Sequence, residues 1–262
     1  MEYIGYFAAI IIGLSLGLVG GGGSILTIPI LVYLFKIDPE LATSYSLFIV
    51  GITAGLGCIS HYRMGNLKIK SALYFAVPSI FAILIIREVI FPQIAETLFS
   101  IASYKVSKNF LIMIVFSILM ILASISMIRT KTIQIQGITT NYTQLAIIGF
   151  FIGIITGFLG AGGGFLIIPA LLFFAKLPMK QAVGTSLLII FINSSIGFAG
   201  DLYINTPIDY PFLLTISSIA FIGMLVGTQI SKRIDGSKLK PIFGWFILIM
   251  GLYIITKEIF LK

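Results

Sequence analysis

Eight stretches free of Asp, Glu, Lys and Arg run through this chain, and they limit its fold more than any other feature. They cover residues 3–35, 41–62, 71–86, 109–128, 132–175, 181–200, 210–231 and 241–256. A helix needs roughly 20 apolar residues to cross a hydrocarbon core of about 30 Å. Each stretch holds such a segment, with 71–86 and 241–256 borrowing a few flanking residues. No charge stands in the middle of any of them, so the pattern indicates no intramembrane ion pair. The apolar runs are continuous instead of alternating, which excludes a transmembrane β-barrel. The expectation is an all-α polytopic membrane protein with about eight membrane segments. Met1-Glu2-Tyr3 lacks a basic leader region and the run behind it outlasts a signal core, so it is read as a first membrane segment.

Composition decides against the alternatives. Only 10% of the residues are charged and the mean hydropathy is +1.12, whereas a soluble domain carries roughly 25% charged residues to cover its surface. With one cysteine, Cys58, and one histidine, His61, a disulfide framework and a cysteine- or histidine-rich metal centre are not expected. The net charge of +8 lies between apolar stretches, as in cytoplasmic loops, and does not indicate a nucleic-acid partner. The partners expected are the lipid bilayer and a small anion, with a coupling proton or ion as a further candidate; no cofactor and no metal are called for.

The chain also repeats itself. Gly13, Gly17, Gly20, Gly22, Gly23 and Pro29 recur 140 positions later as Gly153, Gly157, Gly160, Gly162, Gly163 and Pro169. The register continues without a gap through Lys36/Lys176, Ala42/Ala182 and Ser46/Ser186. We read two homologous halves, 1–131 and 132–262, joined by the polar linker 129–143.

Each half opens with an apolar run of roughly 30 residues, about 45 Å as a straight helix, which is too long for one crossing and too short for two. Glycine clusters at 20–23 and 160–164 interrupt it where backbone freedom favours a break, and Pro29 and Pro169 follow. The run is read either as two half-helices or as a hairpin turning back inside the membrane. If it returns to its own side in both halves, the 17 Lys and Arg divide six to eleven, and the halves are inverted relative to each other, a pattern used by secondary transporters. A single crossing divides them seven to ten.

A broken helix in lipid exposes backbone N–H groups that need a partner, and the N-terminus of the returning segment favours an anion. The candidate substrate-binding residues are therefore Gly20, Gly22, Gly23 and Ser24 in the first half and Gly160, Gly162, Gly163 and Gly164 in the second. Hydroxyls and an amide on the helices that follow join them: Ser44, Ser46, Thr185, Ser186 and Asn193. Packing alone accounts for Gly13, Gly17, Gly153 and Gly157, and the hydroxyls could instead bond their own helices. His61 is read as an interfacial residue or a proton relay, Arg87 and Glu88 as interface anchors, and residues 92–108 as a surface helix.

The duplicated glycine element, the segment His61-Tyr62-Arg63-Met64-Gly65-Asn66 and the run Gly227-Thr228-Gln229-Ile230-Ser231-Lys232-Arg233 resemble the TauE/SafE sulfite-exporter family of membrane permeases. The resemblance covers nearly the whole chain. It implies transport of small, often sulfur-containing anions or organosulfonates across the bacterial cytoplasmic membrane. One departure is plain: the first half carries Ile86-Arg87-Glu88 where the second has Gly227-Thr228-Gln229.

The function expected is a secondary transporter of a small anion such as sulfite or an organosulfonate; the alternative is a passive anion channel or a non-transporting accessory subunit. No phosphate loop follows either glycine cluster. An intramembrane enzyme is not expected, because Ser24 has only His61 as a base and Asp201 and Asp209 are read as lying in one loop.

Overall fold

The computed structural model describes residues 2–94, 97–101, 104–129, 141–159, 163–203, 206, 208–234 and 236–260. Most of the linker 129–143, together with Gly160 and Gly162 of the candidate site, lies outside the described residues. The first half contributes helices α1 (Glu2–Val19), α2 (Gly22–Tyr33), α3 (Pro39–Arg63), α4 (Ile69–Leu84) and α5 (Lys108–Arg129). The second contributes α6 (Tyr142–Leu159), α7 (Gly164–Phe173), α8 (Met179–Tyr203), α9 (Tyr210–Arg233) and α10 (Gly236–Phe260). By length and composition seven of them, α3–α6 and α8–α10, can cross a membrane, and α1, α2 and α7 are shorter apolar helices.

Local chemistry sets several of the ends. The Asp38 carboxylate caps α3 by accepting from the Glu40 N–H at 3.0 Å, with Pro39 at the first helical position. Asp209 does the same for α9, accepting from the Phe212 N–H at 3.1 Å. A side-chain oxygen there satisfies an amide the helix leaves open. The aspartates therefore do not share one loop: Asp201 belongs to the last turn of α8, and Asp209 caps the next helix.

The opening run is a hairpin. Gly20 takes φ +80°, a left-handed conformation that costs glycine little, and α2 then folds back along α1. Gly23 comes to rest on Ile12 and Leu16, and Gly5 near the start of α1 lies against the Phe35 ring beyond the end of α2. The Tyr6 and Phe35 rings meet edge-on at 6.1 Å. In the second half Gly163 takes φ +67° and caps α7. Leu145 at the start of α6 shares a buried cluster with Leu171 and Ala175 at the end of α7. Both returning helices run through their prolines, Pro29 and Pro169. Each hairpin ends in a lysine at positive φ, Lys36 at 56° and Lys176 at 53°.

The halves are laced together. α1 packs on α9 and α4 on α6, running parallel; α3 packs on α8 and α5 on α10, running antiparallel. Along α3 and α8, Leu47 lies against Gly197, Gly51 against Ser194, and His61 against Gly184. The α1–α9 contact is made by glycine: a Cβ on Gly13 would stand 1.7 Å from the Ala220 carbonyl oxygen. In lipid, where apolar burial does not drive association, such close backbone approach holds helices together. The face where α3 and α9 end and α8 begins carries Arg63, Lys68, Lys180, Lys232 and Arg233, and is called here the basic face.

Residues 92–108 are not a surface helix. After a short 3-10 turn, Phe91–Gln93, an antiparallel pair Thr97–Ile101 and Tyr104–Ser107 fills this connection, with Phe99 opposite Val106. The register shifts between Thr97 and Phe99, so the pair is irregular at its open end.

Candidate functional site

The two hairpin turns meet inside the molecule. Gly21 lies against Gly164, close enough that a Cβ on Gly21 would stand 2.2 Å from the Gly164 carbonyl oxygen. Gly20 faces α8 at Val183 and at the Ser186 hydroxyl. The first turns of α2, with Gly22, Gly23 and Ser24, and of α7, beginning at Gly164, thus approach one another. Each brings the amide groups that the start of a helix leaves without an intrahelical acceptor. Some are already used at α7, where the Gly163 carbonyl accepts from the Leu166 and Ile167 N–H groups at 2.9 Å.

The hydroxyls sort into two kinds. Ser24 donates to the Gly21 carbonyl and Ser186 to the Val183 carbonyl, both at 2.8 Å, so each serves its own helix. Ser46 Oγ is fully buried and has no hydrogen-bond partner among the described residues, and the same holds for Ser194 Oγ and Asn193 Nδ2. Asn193 Oδ1 lies 2.9 Å from the Ser79 hydroxyl. A buried polar atom without a partner is costly, so Ser46, Asn193 and Ser194 are the groups with capacity to spare.

Two candidates stand apart from the turns. Thr185 accepts from the Lys68 N–H at 3.0 Å, at the basic face. Ser44 lies 3.1 Å from an Arg87 nitrogen, at the opposite face.

Arg87 corrects the sequence reading twice. It is 4% exposed, not an interface anchor, and it forms the kind of buried ion pair that the charge pattern gave no sign of. Its Nε donates to Asp201 Oδ1 at 2.7 Å and its Nη2 to Oδ2 at 2.6 Å, a two-pronged pairing. The Ser44 and Thr43 hydroxyls and the Gly157 carbonyl surround the guanidinium at 3.1, 3.4 and 3.5 Å. Arg87 reaches this position from a π-helical turn, Ile85–Ile90, that continues α4. Such turns, widened by one residue, frequently mark functional sites.

His61 stands in the last turn of α3 and is buried by protein. It is 2% exposed and neither ring nitrogen has a partner among the described residues. It lines a cavity of about 120 Å³ with Met64, Asn66, Lys180, Ser231 and Lys232. The signal for both features was the repeat itself, since Asp201 and His61 occupy the same place in their halves.

Comparison with known proteins bears on the whole chain. The family described as sulfite exporter TauE/SafE matches residues 6–254. A probable membrane transporter protein of Xylella fastidiosa is 27% identical, with 95% of this chain and 92% of that protein aligned. The probable membrane transporter protein YunE of Bacillus subtilis is 26% identical over 96% and 97% of the two chains. One from Methanocaldococcus jannaschii is 25% identical over 94% of each. No solved structure matches.

Proposed function

Because this chain belongs to the sulfite exporter TauE/SafE family, we propose that it is a secondary transporter carrying a small, sulfur-bearing anion, such as sulfite or an organosulfonate, across the bacterial cytoplasmic membrane. The observation that carries this reading is the meeting of two glycine turns, Gly21 against Gly164, in the interior of a membrane protein. The starts of α2 and α7 direct partial positive charge and free amides toward the meeting point, which suits an oxyanion and needs no fixed counter-charge. Ser186 stands beside Gly20, and Ser46 and Asn193 hold buried polar atoms without a described partner. A site without a permanent cation at its centre lets the anion leave again.

The halves are inverted in this reading, as the antiparallel packing of α3 on α8 and of α5 on α10 supports. The basic face is then cytoplasmic by the excess of Lys and Arg. Cysteines replacing Lys36 and Lys176 are expected to react with impermeant reagents from opposite sides of the membrane. Labelling from one side would remove the inversion.

Liposomes carrying the purified protein test the function with labelled sulfite, sulfate, thiosulfate and taurine, with and without a pH gradient. Saturable uptake of at least one anion, with counterflow, is expected. Substituting Gly23→Leu or Gly163→Leu is expected to abolish uptake while the protein still inserts and stays monodisperse in detergent. Unsaturable flux would make the protein a passive channel, and full uptake by both variants would reduce the glycines to packing elements.

A further inference from the structure

The cavity at the basic face lies where α3 ends, α8 begins and α9 ends. Of its six lining residues, His61 is the most deeply set, and Gly184 packs against its Cβ and the Asn66 carbonyl. The Asn66 N–H donates to the His61 carbonyl at 3.0 Å, which pins the backbone that carries both residues. The ring nitrogens have no partner among the described residues, although a buried imidazole demands one. Lys180 and Lys232 line the same space, and no described carboxylate lies within ion-pair distance of either.

The other half of the repeat shows what such a position looks like when the chain completes it. At the shared register His61 corresponds to Asp201, Lys180 to Glu40 and Asn66 to Thr206. The same backbone hydrogen bond is made there, the Thr206 N–H donating to the Asp201 carbonyl at 3.2 Å. There the cation, Arg87, is neutralised by the chain's own Asp201, and Glu40 pairs with Lys108 at 3.0 Å. At the basic face an imidazole and a lysine replace the carboxylates, and the space between them stays open.

We propose that this cavity is a binding site for a small oxyanion, held by His61, Lys180 and Lys232 with Asn66 and Ser231 as further hydrogen-bonding groups. A volume of about 120 Å³ suits a sulfite, sulfate or sulfonate head group rather than a long organic chain. Under the transport reading above, on which its role rests, the site loads or releases the anion at the cytoplasmic mouth, ahead of the glycine turns. The binding itself does not depend on that role.

The test uses the full-length protein in lipid nanodiscs and equilibrium binding of ³⁵S-sulfite and ³⁵S-sulfate. K180Q and K232Q are each expected to weaken binding about tenfold, as for loss of one charge-assisted hydrogen bond, and the double variant more than either. K180R should keep most of the affinity. K70Q removes a basic-face charge that stacks on Tyr142 instead of lining the cavity, and is expected to change affinity less than twofold. Absence of anion binding by the wild type, or equal binding by wild type and the folded double variant, overturns the proposal, as does an equal loss in K70Q. Flux separates the two readings. Saturable transport whose affinity is untouched in the double variant leaves the carrier and removes this site. Binding that is lost in the double variant, in a protein that moves no anion, leaves the site and removes the carrier.

Discussion

At one end of the molecule a guanidinium is enclosed by Asp201, Ser44, Thr43 and the Gly157 carbonyl; at the other, the corresponding positions hold His61, Gly184, Val183 and Gly17. The same backbone thus supports two opposite electrostatic arrangements. The Arg87 end is internally neutral, tied across α4 and α8 by an ion pair 4% exposed on the arginine side and 3% on the aspartate side. The His61 end is open and carries cations without a described carboxylate partner. A duplication preserves helices, turns and packing glycines, because these are properties of the backbone path. It does not preserve charge, because one substitution suffices to change it, and that freedom lets two similar backbones carry opposite charge arrangements.

The largest effect expected from this contrast is on stability. Removing one partner of a buried ion pair leaves the other charge uncompensated, which typically costs about 3–5 kcal/mol. Arg87→Leu or Asp201→Leu should therefore lower the unfolding midpoint strongly, and the double variant should regain most of the loss. His61→Leu, which removes an imidazole with no described partner, should cost far less. Thermal unfolding in detergent or nanodiscs measures all four, and equal losses at the two ends would break the comparison.

A smaller effect tests the two hairpin turns, whose positive-φ glycines fall at different positions of the repeat. Gly20 and Gly163 both sit at positive φ, so alanine at either strains the backbone by about 1–2 kcal/mol. Gly163→Ala should be the worse of the two, since its Cβ would stand 2.0 Å from the Thr156 methyl, against 2.9 Å from Val183 for Gly20. Reversal of that order in the same unfolding measurement would mean that the hairpins differ in packing freedom. The smallest effect belongs to the lysines that close the hairpins. Lys36→Gly and Lys176→Gly relieve the same left-handed strain and should each stabilise by no more than about 1 kcal/mol. A clear gain at one position alone would distinguish the two hairpin ends.

Much of the fold was legible because it depends on local chemistry. Charge-free runs marked the membrane helices, and the duplicated glycine clusters at 20–23 and 160–164 marked the turns. Whether the chain doubles back after those glycines was not legible, since the answer lies in contacts such as Gly5 against Phe35, between opposite ends of a 30-residue run. The Arg87–Asp201 pair escaped for the same reason on a larger scale: its members are 114 residues apart, and each reads in sequence as the edge of an apolar stretch. Residues 92–108 misled because Ile94, Leu98 and Ile101 fall at helical spacing, whereas the chain there pairs with itself as a short antiparallel hairpin. Of the candidate site, the glycines at the turns were legible. That Ser24 and Ser186 serve their own helices while Ser46 and Asn193 keep unpartnered atoms depends on packing that no spacing encodes.

The lacing of α1 onto α9 has a consequence for how the protein is made. Helix α1 finds its glycine-fitted neighbour only once α9, in the other half, has been synthesised. Until then its groove of small residues faces lipid or the insertion machinery. A chain cut at the midpoint would leave α1 and α4 each without the helix that fits it, so assembly is a late, whole-molecule event and neither half is a unit of folding.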